Sequence, residues 1–317
     1  GDAMTATIST LAAFDPALAF GAGAPFAPEG DPGRLGKSTL FRDLPAEIYH
    51  GDRDYLSCSM LKPLLDSPAN FLAALTATQK PSDARDFGTL VHGLVLEPQK
   101  VNADFAVYPG IYDGRSKDYK EFVAANPGRL VVDEPTFSRG RSLADKVLSR
   151  KVRGRPFGDF VREGIPEASI YFEEPTTGTK LRIRVDLYHP EVNFDLKTTR
   201  RPDVKTFLRD AIDMHYDLQG FMYTLGCALH EGTDQGRDFV FVAVETEAPH
   251  SISTVTLDTG CSMLSNGAKK FQEVLTLYHA CKQVGLWPDL SGDVRGDIDH
   301  WQAYEPRTDW RAMLAKA

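Results

Sequence analysis

KLRIRVDLYHPEVNFDLKTT, from Lys180 to Thr199, is the stretch that decides the fold. Its period is two. Leu181, Ile183, Val185 and Leu187 alternate with Arg182, Arg184 and Asp186; beyond the turn at His189-Pro190, Val192, Phe194 and Leu196 alternate with Asn193, Asp195 and Lys197. The alternation predicts two strands joined as a hairpin, each with one face in a core. Aspartate is depleted in strand interiors, yet one interrupts each of these apolar strands. Asp195 and Lys197 are two apart and share a face, roughly 7 Å from one another along the chain. A short turn can bring Asp186 beside them. The residues alone leave two readings open: solvated charges on an amphipathic hairpin, or two carboxylates and a lysine gathered into a site.

The second reading has a definite chemistry. Hydrolysis of a phosphodiester needs a divalent cation on the scissile phosphate, to offset developing charge and acidify the attacking water. Magnesium takes hard oxygen ligands, usually one or two carboxylates completed by water and substrate. A lysine near the attacking water can orient or deprotonate it and offset charge on the phosphate.

Working outward from the hairpin, SIYFEE (169–174) reads as a strand before the turn PTTGT, preceded by a charged, helical middle from about Lys117 to Arg155. Further upstream, DFGTLVHGLVLEP (86–98) carries Phe87, Leu90, Val91, Leu94 and Val95 in the stripe of a helix packed on one side, with His92 just past its edge. LSCSMLKPLLDSPANFLAAL (56–75) reads as a serine-capped helix, a break at Ser67-Pro68, and a second helix. Order is expected to begin near Tyr49. Residues 1–45 are rich in Gly, Ala and Pro and read as a flexible arm, with a cloning remnant at Gly1 to Met4. Downstream come a helical stretch from about Asp203 to Leu229, strands at DFVFVAVET and SISTVTLD, and a helix from about Ser262 to Val284. Residues 291–317 form a tail; Trp287, Trp301 and Trp310 lie in this C-terminal region among acids and prolines.

The order is helix, three strands, helix, strand, strand, helix. It predicts an α/β fold: a mixed central sheet flanked by helices, with helical additions at the N-terminus and in the middle. A domain over 46–290, with a motif core of about 86–258, accounts for most of the 317 residues.

A net charge of -8 and pI near 5.5 exclude a surface coated in DNA-binding charge. Two stretches run against that average. Arg139 to Arg155 has seven basic residues and one acid, and Lys197 to Arg209 has five and one. Such runs are most often solvated helix faces; they also suit a limited track of phosphates. No apolar run has the ~18 residues of a membrane span, and the N-terminus lacks the pattern of a signal peptide. Cys58, Cys227, Cys261 and Cys281 are scattered without a CxxC pair, which points to free thiols in a reducing cytosol.

Six motifs in order resemble the RecE-like (exonuclease VIII type) branch of the PD-(D/E)xK nuclease superfamily, related to the RecB nuclease domain and lambda exonuclease. They are S-x-S-x-L-K with SPANF (57–71), FGTLVHGLVLEP (87–98), E-x-S (167–169), RIRVD ending at Asp186, FDLKTT (194–199) and YDLQGFMYT (216–224). The resemblance runs from about Tyr49 to Pro288. It implies a restriction-endonuclease-like core and a Mg²⁺-dependent exonuclease, with Mn²⁺ able to substitute, that degrades the 5′-ended strand of linear duplex DNA and leaves 3′ single strands for annealing recombination, as in phages or prophages.

The resemblance also implies residue roles. His92, Asp186 and Asp195 would be metal ligands, with the carbonyl of Leu196 a further one, and Lys197 the lysine of the motif. Gln219 and Tyr223 match a Q-x-x-x-Y pair beside the active centre, on the helix face opposite Leu218, Phe221, Met222 and Leu225. Glu167 would sit at a strand edge near the metal. Ser57 and Ser59, with Arg53 or Lys62, would hold a terminal 5′-phosphate at a helix start, or simply cap the helix. Thr198, Thr199, Arg200 and Arg201, with Arg184 on the neighbouring strand, would contact DNA, the four after the lysine through backbone phosphates rather than bases. His189, His215, His230 and His250 read as structural. The implied partners are double-stranded DNA ends, a single-strand annealing protein, and further copies of the chain in a ring, with no membrane. The cysteine spacings do not supply the iron–sulfur cluster of some relatives, and neither a helicase motif nor a phosphate-binding G-x-x-x-x-G-K-[ST] loop is present. Two other readings remain: a nuclease of the same superfamily for single-stranded or structured DNA, and an idle DNA-binding scaffold.

Overall fold

The hairpin forms as the alternation predicts, but neither of its faces is left to solvent. The computed structural model describes residues 38–77, 83–200, 203–233 and 236–289. The chain enters through β1 (Ser38–Phe41), α1 (Ala46–Gly51), β2 (Leu56–Ser57), α2 (Cys58–Leu61), a 3-10 turn at Lys62–Leu65, and α3 (Pro68–Thr76). The middle contains α4 (Asp83–Leu96), α5 (Val101–Asp104), β3 (Phe105–Tyr108), α6 (Lys117–Ala125), β4 (Leu130–Asp133), α7 (Glu134–Ser149), β5 (Lys151–Val152), β6 (Arg155–Pro156) and α8 (Phe157–Glu163). The core follows as β7 (Ile165–Glu173), β8 (Lys180–Tyr188), β9 (Val192–Thr199), α9 (Val204–Asp213), α10 (Tyr216–Glu231), β10 (Asp238–Glu245), β11 (Ile252–Leu257) and α11 (Ser262–Val284).

The main sheet has the order β1-β7-β8-β9-β10-β11, with β2 joined to β8. It is mixed: β9 and β10 run parallel, as do β2 and β8, and the other pairs are antiparallel. A parallel pair requires a crossover, and α9 and α10 supply it between β9 and β10. Strand β10 is apolar at successive positions, Phe239 to Val244, because helices cover both of its faces. Phe239, Phe241 and Ala243 join Leu181, Ile183 and Val185 under α10 and α11. Val240, Val242 and Val244 join Val192, Phe194 and Leu196 under α4, α7 and α8. Each fully buried large side chain contributes roughly 1.5–3 kcal/mol, so the two clusters lock the sheet between helical layers.

Four details depart from the sequence expectations. The arm expected over residues 1–45 ends sooner, because Ser38–Phe41 pairs antiparallel with β7 at the sheet edge; residues 1–37 and the tail at 291–317 lie outside the described residues. The helical middle also contains two small ribbons, β3 with β4 and β5 with β6. Leu187 does not share a face with Leu181, Ile183 and Val185 but belongs to the opposite cluster with Phe194. Strands β8 and β9 are registered only at Leu187↔Phe194, so the strand changes phase where the sheet splays. Finally, α10 is buried along most of its length, from Asp217 to Leu229, with only Tyr223 partly exposed between them. Its close approach to α11 depends on Gly267, where a Cβ would fall onto the Asp217 carbonyl. Among the described residues, no helix is long and apolar enough to cross a membrane.

Candidate active site

The splay between β8 and β9 opens the sheet where its carboxylates stand. Asp186 fills the gap: its Oδ2 accepts the Leu196 N–H at 2.7 Å, the place a strand carbonyl would take in a closed ladder. The same oxygen lies 2.7 Å from His92 Nε2 on α4. The other ring nitrogen, Nδ1, is 3.2 Å from Glu167 Oε1 on β7. Pro166 and Ala168 pair with Leu187 and Val185, so Glu167 stands opposite Asp186. It does so with φ of 49°, a left-handed conformation that carries strain in a residue with a Cβ.

His92, Glu167 and Asp186 each bring a ligand atom to within 4.8 Å of the others. One imidazole nitrogen and two carboxylate oxygens make a donor set that fits a divalent cation. The imidazole sits between the two carboxylates. Burial alone would lower the His92 pKa, but Asp186 and then Glu167 outweigh it and hold it well above the ordinary value. Asp186 moves the opposite way: burial raises it, and His92, Lys197 and the Leu196 N–H together bring it below the usual value. To hold a cation, His92 must release the proton it shares with the two carboxylates.

Asp195 faces the other layer. Its Oδ1 accepts from Gln219 Nε2 on α10 at 2.6 Å, and Oδ2 lies 2.7 Å from Lys197 Nζ without an aligned hydrogen bond. Burial and the nearby Asp186 charge push the Asp195 pKa up to about 6, with Lys197 opposing. Burial also acts on Lys197, but Asp195 and Asp186 prevail and raise it, so it remains an ammonium ion. Its Nζ stands 4.7 Å from the centre of the Tyr216 ring, and Lys62 Nζ stands 5.3 Å from the same centre. Tyr223, one turn beyond Gln219, packs edge-on against Phe239 at 5.9 Å.

His92, Glu167, Asp186 and Lys197 floor a cleft of about 1120 Å³, with Tyr216 beside them. One wall is α4 with Glu97 and Lys100 after it, the end of α5 at Asp104 and the start of β3; the other is Arg42–Glu47 and His50, a segment without a site signal in its sequence. The sequence picture needs adjusting at several positions. The metal set gathered here is His92, Glu167 and Asp186, while the Asp195 carboxylate is turned to Lys197 and Gln219. Leu196, whose carbonyl the resemblance makes a further ligand, does line the cleft, with its N–H on Asp186 and its side chain in the core. Gln219 and Tyr223 lie on a buried helix, not on a polar face.

The candidate DNA contacts divide. Thr198 lines the cleft, where its Oγ1 would lie 2.8 Å from a Cβ at Gly88. Arg184 also lines it, but donates to Ser169 Oγ at 2.9 Å and to the Leu44 carbonyl at 2.7 Å. Ser57 and Ser59 bond to each other at 3.0 Å, and Ser57 occupies a cap position without a side-chain cap bond. The cap at Ser67 does form, to Asn70 N–H at 3.1 Å. Thr199 ends β9 and its carbonyl accepts from Thr246 N–H at 3.0 Å; Arg200 is exposed beyond it; Arg201 lies outside the described residues. In the first basic run Arg139 covers Phe87 and faces Glu247, Lys146 donates to the Pro249 carbonyl, Arg153 pairs with Asp238, and Arg155 with Glu163.

Among curated proteins, no sequence matches this chain. Among solved structures, the crystal structure of a "putative exonuclease" from Eubacterium rectale is similar, with a TM-score of 0.52 and 16% identity, over 87% of this chain and 99% of that one. At that identity the likeness is one of fold. A family model described as "PDDEXK-like domain of unknown function (DUF3799)" matches residues 57–296, a span that contains His92, Glu167, Asp186, Asp195 and Lys197. Because that match takes in most of the chain and the whole carboxylate-and-lysine centre, the chain belongs to this family of PDDEXK-like domains and, with them, to the PD-(D/E)xK nuclease superfamily.

Proposed function

We propose that the chain is a Mg²⁺-dependent DNA exonuclease, with Mn²⁺ able to substitute, that degrades the 5′-ended strand of linear duplex DNA. The observation that carries this reading is the meeting of His92, Glu167 and Asp186 within 4.8 Å, beside the buried Asp195–Lys197 pair. His92, Glu167 and Asp186 would hold the cation. When bound, such an ion offsets charge on the scissile phosphate and acidifies a water. Lys197, kept as an ammonium by Asp195 and Asp186, orients the attacking oxygen and stabilises charge developing on the phosphate. Asp195 fixes that ammonium in place and is itself fixed by Gln219. Thr198 and Arg200 contact the strand's phosphates.

The RecE-like resemblance supplies the finer parts of the proposal: 5′ to 3′ polarity, a cytoplasmic setting, a single-strand annealing protein as partner, and a ring of several copies on the DNA. The test is digestion of 5′-labelled and 3′-labelled linear duplex with Mg²⁺, wild type beside Lys197→Ala. The variant is expected to lose about 10²-fold or more in rate. Equal rates in the two proteins would overturn the assignment of Lys197, and the order of label release reads the polarity.

A further inference from the structure

The cleft has a wall that lies ahead of the family model. The match begins at residue 57, whereas Arg42–Glu47 and His50 form one whole side of the cleft. This wall is anchored at both ends. Before it, β1 pairs along β7 from Ser38↔Phe172 to Phe41↔Ser169. After it, the buried Arg182 donates to the Asp52 carbonyl at 2.9 Å and to the Tyr55 carbonyl. In the middle Arg184 Nη2 donates to the Leu44 carbonyl at 2.7 Å, and its Nε lies 3.9 Å from Glu167 Oε2. The wall is therefore tied to the floor beside a residue of the metal set.

A side-chain contact crosses the cleft. Lys100 Nζ, immediately before α5 on the opposite wall, reaches Asp43 Oδ1 at 3.5 Å while Glu97 Oε1 holds it from its own side at 2.6 Å. All three residues line the cleft (Glu97 and Lys100 on one side, Asp43 on the other). We propose that residues 42–50 form a strap, latched to the opposite wall by Asp43 and Lys100, that lets a nucleic-acid strand reach the metal set only by its free end. This rests on the nuclease reading above and names the feature that would impose its end dependence.

The argument is steric. A duplex, whose major groove alone is about 12 Å wide, does not lie in a gap bridged by one lysine and one aspartate. A single strand threaded from its end does, and a closed circle has no end to thread. The ion pair is exposed and screened by salt, so it is a weak tie on its own. The sheet pairing and two arginines hold the strap; the pair only closes what remains of the gap.

The test is binding, read by fluorescence anisotropy in Ca²⁺ to prevent turnover, of a labelled single-stranded oligonucleotide in linear form and the same sequence ligated into a circle. The full chain is expected to bind the linear form about fivefold more tightly, the most that so weak a tie can impose. The Asp43→Ser/Lys100→Ser variant is expected to bring the two within about twofold, by raising affinity for the circle. Equal binding of both forms by the wild type, or undiminished preference in the variant, would overturn the strap alone. Binding of neither form would overturn the strap as an entrance for a single strand; the nuclease reading fails separately, if labelled linear duplex is not cleaved in Mg²⁺.

Discussion

Glu167 offers a clean measurement of strain at the site. Its φ of 49° costs a residue with a Cβ roughly 1–2 kcal/mol, a cost glycine escapes. Glycine gives back about 0.5–1 kcal/mol through the greater freedom of its unfolded chain. Glu167→Ala and Glu167→Gly remove the same carboxylate, and with it the contacts to His92 at 3.2 Å and Arg184 at 3.9 Å. The difference between the two variants therefore isolates the backbone. Glu167→Gly should be the more stable by about 0.5–1 kcal/mol, or about 1–4 °C in Tm for a domain of this size. Urea and thermal unfolding in EDTA, with both variants side by side, read that difference. A second reading links the strain to function. Wild type should gain about 2.7 kcal/mol when Mg²⁺ or Mn²⁺ is raised to 100 times its dissociation constant, and both variants should lose most of that gain at the same concentration. If Glu167→Ala is as stable as Glu167→Gly, the bend holds no strain and the reasoning fails.

Three further outcomes are expected. Gly267→Ala sets a methyl against the Asp217 carbonyl and must push α11 off α10; a cost of about 3 kcal/mol would lower Tm by about 6–12 °C, and an unchanged Tm by calorimetry would refute the close packing. Gln219→Ala removes the only side-chain hydrogen bond described for the buried Asp195 carboxylate, which should destabilise by about 1–3 kcal/mol and slow cleavage of labelled duplex; unchanged unfolding would mean that the amide does not position Asp195. Replacing Arg153 and Arg155 together by Ser should leave the salt dependence of DNA binding unchanged, since both already serve acidic side chains; a slope reduced by about 1 per arginine in a salt titration would make them phosphate contacts.

The hairpin and the core elements were legible because strands β8 and β9 and helix α11 are long enough to show their period, and their bounds agree with the sequence reading to the residue. The carboxylates stood out for a related reason, since an aspartate inside an apolar strand conflicts with its surroundings. What stayed hidden has physical causes too. Strands of four residues, such as β1, β3 and β4, contain too little alternation to read. A helix buried on nearly every side, like α10, has no solvent face to mark it, so the sequence places Gln219 and Tyr223 opposite an apolar stripe although both sides of the helix are packed. The basic run from Arg139 to Arg155 left a solvated face and a phosphate track both open, because its partners, Glu247, Asp238 and Glu163, lie elsewhere in the chain. The bend at Glu167 is a backbone angle and leaves no mark in composition.

The bond from the Leu196 N–H to Asp186 ties two fates together. The carboxylate that would grip the cation also completes the sheet, standing where a neighbouring strand's carbonyl would otherwise accept. Asp186 can be discarded alone only in favour of a side chain that keeps an acceptor oxygen there, such as asparagine, because an apolar replacement would leave the Leu196 N–H without its partner. A descendant with an apolar side chain at this position would have to carry a second change to satisfy that N–H. An aspartate retained here thus testifies first to architecture, and the positions whose loss would betray a silenced enzyme are His92 and Glu167.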